Sequence, residues 1–83
     1  MNAFPNPFSG SLSFKYKIDI NAGVKIVICD ISGRQVQTID QGYQTSGDYQ
    51  YNLNATLILP GNYFASLYVN NELAQTIKLV KTE

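Results

Sequence analysis

The chain has 83 residues, with six Lys+Arg, six Asp+Glu, no His, no Trp and one Cys. That length admits one small domain. Without His the commonest metal ligand is missing, and a single Cys makes neither an internal disulfide nor a multi-Cys zinc site. The formal charge is zero and charged residues are 14%, so no basic footprint points to nucleic acid.

The hydrophobic fraction of 45% is that of a folded domain. No apolar run approaches the roughly 18–20 residues of a membrane span. The opening Met1-Asn2-Ala3-Phe4-Pro5 has no basic region and no apolar stretch, so it does not read as a signal peptide. The chain is then either a cytosolic domain or a fragment of a longer one; the expectation is the fragment, with Met1 an added initiator and residues 1–3 either added or linker.

In chain order, Leu12, Phe14, Tyr16 and Ile18 alternate with polar residues, which predicts a half-buried strand. Asn21-Ala22-Gly23 reads as a turn. Val24 to Cys29 is more apolar and β-branched, which predicts a central strand. Asp30-Ile31-Ser32-Gly33 reads as a hairpin turn, with Gly33 at the positive-φ position. Arg34 to Asp40 is the return strand, and the mixed parity of Val36 and Ile39 predicts a bulge or an early end. Gln41 to Gly47 reads as a loop.

Tyr49, Tyr51 and Leu53 alternate as a further strand, and Leu57-Ile58-Leu59 is a short apolar stretch before Pro60-Gly61. Tyr63 to Val69 is a strong strand and Asn70-Asn71 a hairpin turn. Leu73 to Val80 closes the pattern, with Leu73, Ile77 and Leu79 in phase. Six or seven short strands without helical periodicity predict an all-β sandwich, with a small barrel as the alternative.

Catalytic constellations are missing. Cys29 has no His to act as base and reads as an inert strand residue. The carboxylates are scattered and suit turns better than a catalytic pair. No phosphate loop and no calcium-binding Asp cluster is apparent. Asn54-Ala55-Thr56 fits a glycosylation sequon and reads as a chance match. These readings predict no enzyme activity and no cofactor. Among the tyrosines, Tyr16, Tyr51 and Tyr63 are expected in the core; Tyr43, Tyr49 and Tyr68 are open. Tyr63 follows Pro60-Gly61 at a strand start, the placement of a tyrosine corner, whose hydroxyl bonds back to upstream backbone.

Four segments in order carry a resemblance: Phe4-Pro5-Asn6-Pro7-Phe8, then Val24 to Val36 with Asp30-Ile31-Ser32-Gly33-Arg34, then Pro60-Gly61-Asn62-Tyr63-Phe64, then Ile77-Lys78-Leu79-Val80-Lys81. From Phe4 to Lys81 the chain resembles the type A C-terminal sorting domain of the bacterial type IX secretion system. The sequence departs at Phe4, where Tyr is common, at Cys29, where an aromatic is common, and in Thr82-Glu83 after the last Lys.

The resemblance implies an immunoglobulin-like sandwich at the C-terminus of a secreted or surface protein of Bacteroidetes-type bacteria. It implies periplasmic transit, reading by an outer-membrane translocon, and removal by a sortase-like peptidase. Arg34, Lys78 and Lys81 are the candidate contacts, Lys78 and Lys81 pointing to opposite faces of their strand. Residues Gln75 to Lys81 are the expected recognition strand, open to strand addition if it is an edge. Pro5 and Pro7 have two readings: holding the linker clear for cleavage, or guarding an edge against aggregation. Edge-to-edge homodimers and an accessory or carbohydrate-binding module are the competing expectations.

Overall fold

The computed structural model describes residues 1–82. It is all-β, with β1 (Asn2–Phe4), β2 (Ser11–Ile18), β3 (Ala22–Asp30), β4 (Gln35–Gln44), β5 (Gly47–Asn54), β6 (Gly61–Val69) and β7 (Glu72–Lys81). They form two sheets, ordered β1-β2-β5 and β4-β3-β6-β7, and every paired strand is antiparallel. The chain changes sheet between β2 and β3, β4 and β5, and β5 and β6. This is the crossing pattern of an immunoglobulin-like sandwich.

The period-2 alternation builds the core directly. Leu12, Phe14, Tyr16 and Ile18 of β2 face Val24, Ile26 and Ile28 of β3, with Ala65, Leu67 and Leu79 beside them. The β-branched run of β3 lies between β4 and β6, so it pairs on both sides. Tyr16 and Tyr63 are buried, and Tyr51 packs against the core. Tyr49 stacks on Tyr16 with ring centroids 5.7 Å apart. Tyr68 lies beneath the Lys25 ammonium, 5.4 Å from its ring centroid, and Tyr43 is exposed.

Three local expectations are corrected. Ala22 and Gly23 belong to β3, pairing with Gln44 and Tyr43, so the turn lies earlier, bending at Asp19-Ile20 and leaving Asn21 to lead into β3. The polar stretch after Asp40 is strand, not loop: β4 runs on to Gln44. A bulge between Val24 and Lys25 leaves Gln41 unpaired, and Gly42 takes φ 67°. That left-handed step hides the strand from a reading by alternation. The third correction is Leu73. A bulge at Ala74 pairs Leu73 with Tyr68 on the outer face, so Leu73 is exposed while Ile77 and Leu79 face the core. A second β4 bulge, at Val36, explains the mixed parity there.

Strand β1 was not expected from the sequence; it pairs with β2 through only three residues. The Phe4-Pro5 and Asn6-Pro7 peptide bonds are cis. The Asn70-Asn71 turn has φ 52° and 63°, the paired left-handed residues of a type I′ hairpin. Leu57 and Leu59 are largely exposed and only Ile58 of that stretch packs on the core.

Candidate functional site

Strand β7 is the last strand of its sheet, and its free edge is where the opening segment of the chain ends up. Phe8 donates its N–H to the Val80 carbonyl (2.9 Å) and accepts from the Thr82 N–H (2.8 Å). This makes one rung of a parallel ladder opposite Lys81. Two residues earlier the side chain of Asn6 makes a second rung. Its Nδ2 donates to the Lys78 carbonyl (2.9 Å) and its Oδ1 accepts from the Val80 N–H (3.1 Å). A primary amide has the same donor and acceptor as a peptide group, so Asn6 stands in for a strand residue.

Farther up, the Met1 amino group donates to Gln75 Oε1, and Gln75 Nε2 donates to the Met1 carbonyl (3.5 Å). The segment is fixed at its lower end by Phe8, whose ring is 1% exposed. Pro5 and Pro7 have no N–H, so this segment offers no backbone donor at those two positions. Pro5 and Pro7 thus flank a residue bonded to the β7 edge.

The strap covers only part of β7. Its contacts fall on backbone groups of Lys78, Val80 and Thr82, so these alternate residues point their peptide groups away from β6. Thr76 points the same way, with its hydroxyl bonded sideways to Ser66 (3.0 Å). Among the described residues no protein group meets the Thr76 N–H and C=O or the Lys78 N–H at this edge. The outward peptide groups from Thr76 to the Lys78 N–H are therefore without partners among the described residues, and those from the Lys78 C=O to the Thr82 N–H are paired.

The charged candidates are spread over this sheet. Lys78 is exposed on the outer face, in the cross-strand row Gln35–Cys29–Phe64–Lys78. Lys81 pairs with Gly61 and faces inward, 8% exposed. No buried polar side-chain atom lacks a partner among the described residues, and no bond is formed by its amine, so the stem is buried while the amine reaches water. The two lysines do point to opposite faces. Arg34 sits across the sheet, next to Gln35; three strand gaps separate that margin from Lys78, about 14 Å at ordinary strand spacing. The fold does not gather Arg34, Lys78 and Lys81 into one patch.

Arg34 belongs instead to the β3–β4 turn. Asp30 Oδ1 accepts from the Ser32 hydroxyl (2.6 Å), the Ser32 N–H (3.0 Å) and the Arg34 N–H (3.0 Å). Its Oδ2 meets the Arg34 Nε at 3.3 Å, with the Arg34 side chain 79% exposed. The Ser32 hydroxyl, then the backbone N–H groups and the Arg34 charge, hold the Asp30 carboxyl below its ordinary pKa against a smaller desolvation effect. Gly33 closes the turn at φ 88° with its N–H on the Asp30 carbonyl (3.0 Å), a conformation that suits glycine.

At the same end of the sandwich, the Tyr63 hydroxyl donates to the Leu59 carbonyl at 2.5 Å, across Pro60-Gly61. This ties the β5–β6 crossover to the start of β6. Beside it, Val36, Leu57 and Leu59 line a shallow groove with Asp30 and Arg34.

Asn6 and Phe8 are the residues that sequence reasoning missed. The signal was there: an amide between two prolines has no ladder of its own, and an aromatic after the second proline suits an anchor. The carboxylates form no group of potential metal ligands among the described residues. Among the described residues no helix is long and apolar enough to cross a membrane. The tyrosines make no exposed aromatic platform, since most pack inward or under Lys25.

The sequence profile described as "Secretion system C-terminal sorting domain" matches residues 2–82. No curated protein and no solved structure matches the chain. The matched span takes in the strap, the Asp30 turn, the Tyr63 corner and all of β7. The chain belongs to the C-terminal sorting domains of the type IX secretion system.

Proposed function

We propose that this domain is the non-catalytic C-terminal signal of a larger secreted protein, that the outer-membrane translocon reads it at β7, and that a sortase-like peptidase cuts the linker before it. Membership of the family makes the domain a sorting signal, and its cargo a secreted or cell-surface protein. The observation that carries the finer reading is the partly open edge of β7. Among the described residues the Thr76 N–H and C=O and the Lys78 N–H are without partners, on a strand paired along its other side with β6. A strand edge of this kind gives affinity through main-chain bonds, and neighbouring side chains give specificity.

In this reading Lys78, exposed beside those groups, contributes charge to the contact. Lys81 acts through its buried stem, by holding the end of the strand in place. Arg34, on the other margin, is a separate contact or none.

The test is a secreted reporter fused ahead of the domain in a bacterium with this secretion system. Deleting Lys78 to Glu83 should leave the reporter in the periplasm. Normal export of the truncated fusion contradicts the reading. Light scattering over a concentration series tests the homodimer: growth in mass with concentration supports edge pairing between copies.

A further inference from the structure

We infer that Asn6 is a latch on the β7 edge: it opens while Phe8 stays seated, and its opening exposes a continuous run of peptide groups for a strand from a partner protein. This rests on the reading of β7 as the recognised strand and adds how that strand is kept closed. The two rungs of the strap are unlike. Phe8 is held by two backbone bonds and a ring sealed in the core. Asn6 is exposed, and its two bonds are made by one rotatable side chain in contact with water. Exposed side-chain bonds of this kind contribute little net stability because water competes for both partners.

Position matters as much as strength. With Asn6 bound, the open part of the edge stops at the Lys78 N–H. With Asn6 released, the Lys78 C=O and the Val80 N–H join Thr76 to form one uninterrupted stretch. An incoming segment then finds rungs from Thr76 to Val80. Among the described residues the bonds to Lys78 and Val80 at this rung come from the Asn6 side chain and not from its backbone, so they are lost when that side chain turns away. The closed latch also shields the edge from chance pairing with unrelated strands.

Amide hydrogen exchange on the whole chain tests the latch without any secretion machinery. In the unmodified protein the Val80 amide, held by Asn6, should exchange about tenfold faster than the Thr82 amide, held by Phe8, a difference of about 1.4 kcal/mol in opening free energy, on the scale of a net hydrogen bond. In Asn6→Ala the Val80 amide should accelerate further, while Thr82 and the core amide of Ile26 stay within about twofold, since each remaining bond is independent. Equal protection of Val80 and Thr82 in the unmodified protein, or their joint loss in Asn6→Ala, means the strap leaves as a unit and overturns the latch.

Export provides the second arm. The Asn6→Ala fusion should be exported at least as fast as the parent. Loss of export with Ile26 protection intact makes Asn6 itself a direct contact and overturns the proposal. Export that survives deletion of Lys78 to Glu83 overturns the reading of β7 instead, and leaves the exchange result to stand by itself.

Discussion

Along β7 the outward groups from the Lys78 C=O to the Thr82 N–H are met by Asn6 and Phe8, brought there from the far end of the sequence. Along β4, at the other margin of the same sheet, ten residues from Gln35 to Gln44 have no covering segment among the described residues. Two bulges and a run of polar side chains discourage pairing there. A polar edge with bulges needs no dedicated segment. A covered edge requires a strap, an anchor and a latch. The contrast teaches that one sheet can protect its two margins by different means: a dedicated segment over part of β7, and bulges with polar side chains along β4.

The two margins should also fail differently. Phe8→Ala removes a sealed ring that fixes the strap, and should cost about 3–5 kcal/mol by chemical denaturation. In a domain this small that is a large share of total stability. A cost under about 1 kcal/mol, the level of an ordinary surface change, would show that the strap is not anchored as described.

Turn chemistry, which sets the course of β4 and β6, should yield smaller effects. Tyr63→Phe removes the bond to the Leu59 carbonyl and should cost about 1 kcal/mol; a variant as stable as the parent removes the tyrosine corner from the account. Gly33→Ala meets no atom within 4 Å, so its cost is the left-handed backbone alone, about 1–2 kcal/mol. A thermal melt that does not move would contradict the strain assigned to that turn.

The smallest effect is electrostatic. Asp30 has its carboxyl pKa lowered in the fold. It therefore contributes stability that is fully present above the unfolded carboxylate pKa and is lost as pH falls through the lower folded value. Melting temperature between pH 5 and 2 should fall less steeply for Asp30→Asn than for the parent. Identical slopes would mean that the Ser32 and Arg34 contacts do not favour the charged form.

Alternation made β2, β3 and β6 legible, because one face of each is buried and a period of two survives intact. The Asp30–Gly33 turn was legible from local chemistry alone. Residues Gln41 to Gln44 were not: an edge strand needs little apolar surface, and the left-handed step at Gly42 breaks the period. Leu73 failed for a related reason, since one extra residue at Ala74 exchanges the faces of everything before it. The strap failed more deeply. Its bonds join residues more than seventy positions apart, and nothing local to Asn6 or to Val80 announces the other. The candidate contacts Arg34, Lys78 and Lys81 were visible as charges. That they occupy separate parts of the sheet depends on the pairing order.

The most direct measurement uses a matched pair in one cross-strand row. Thr38, Val27, Ser66 and Thr76 lie side by side across the sheet. The register turns the peptide groups of Thr38 and Thr76 outward, one on each margin. Proline at either position removes an outward N–H, a change that edge strands tolerate. With both variants confirmed as folded, export of a fused reporter should drop sharply for Thr76→Pro and stay at the parent level for Thr38→Pro. Equal export from the two, or a loss confined to Thr38→Pro, would contradict the claim that the secretion machinery reads the edge of β7.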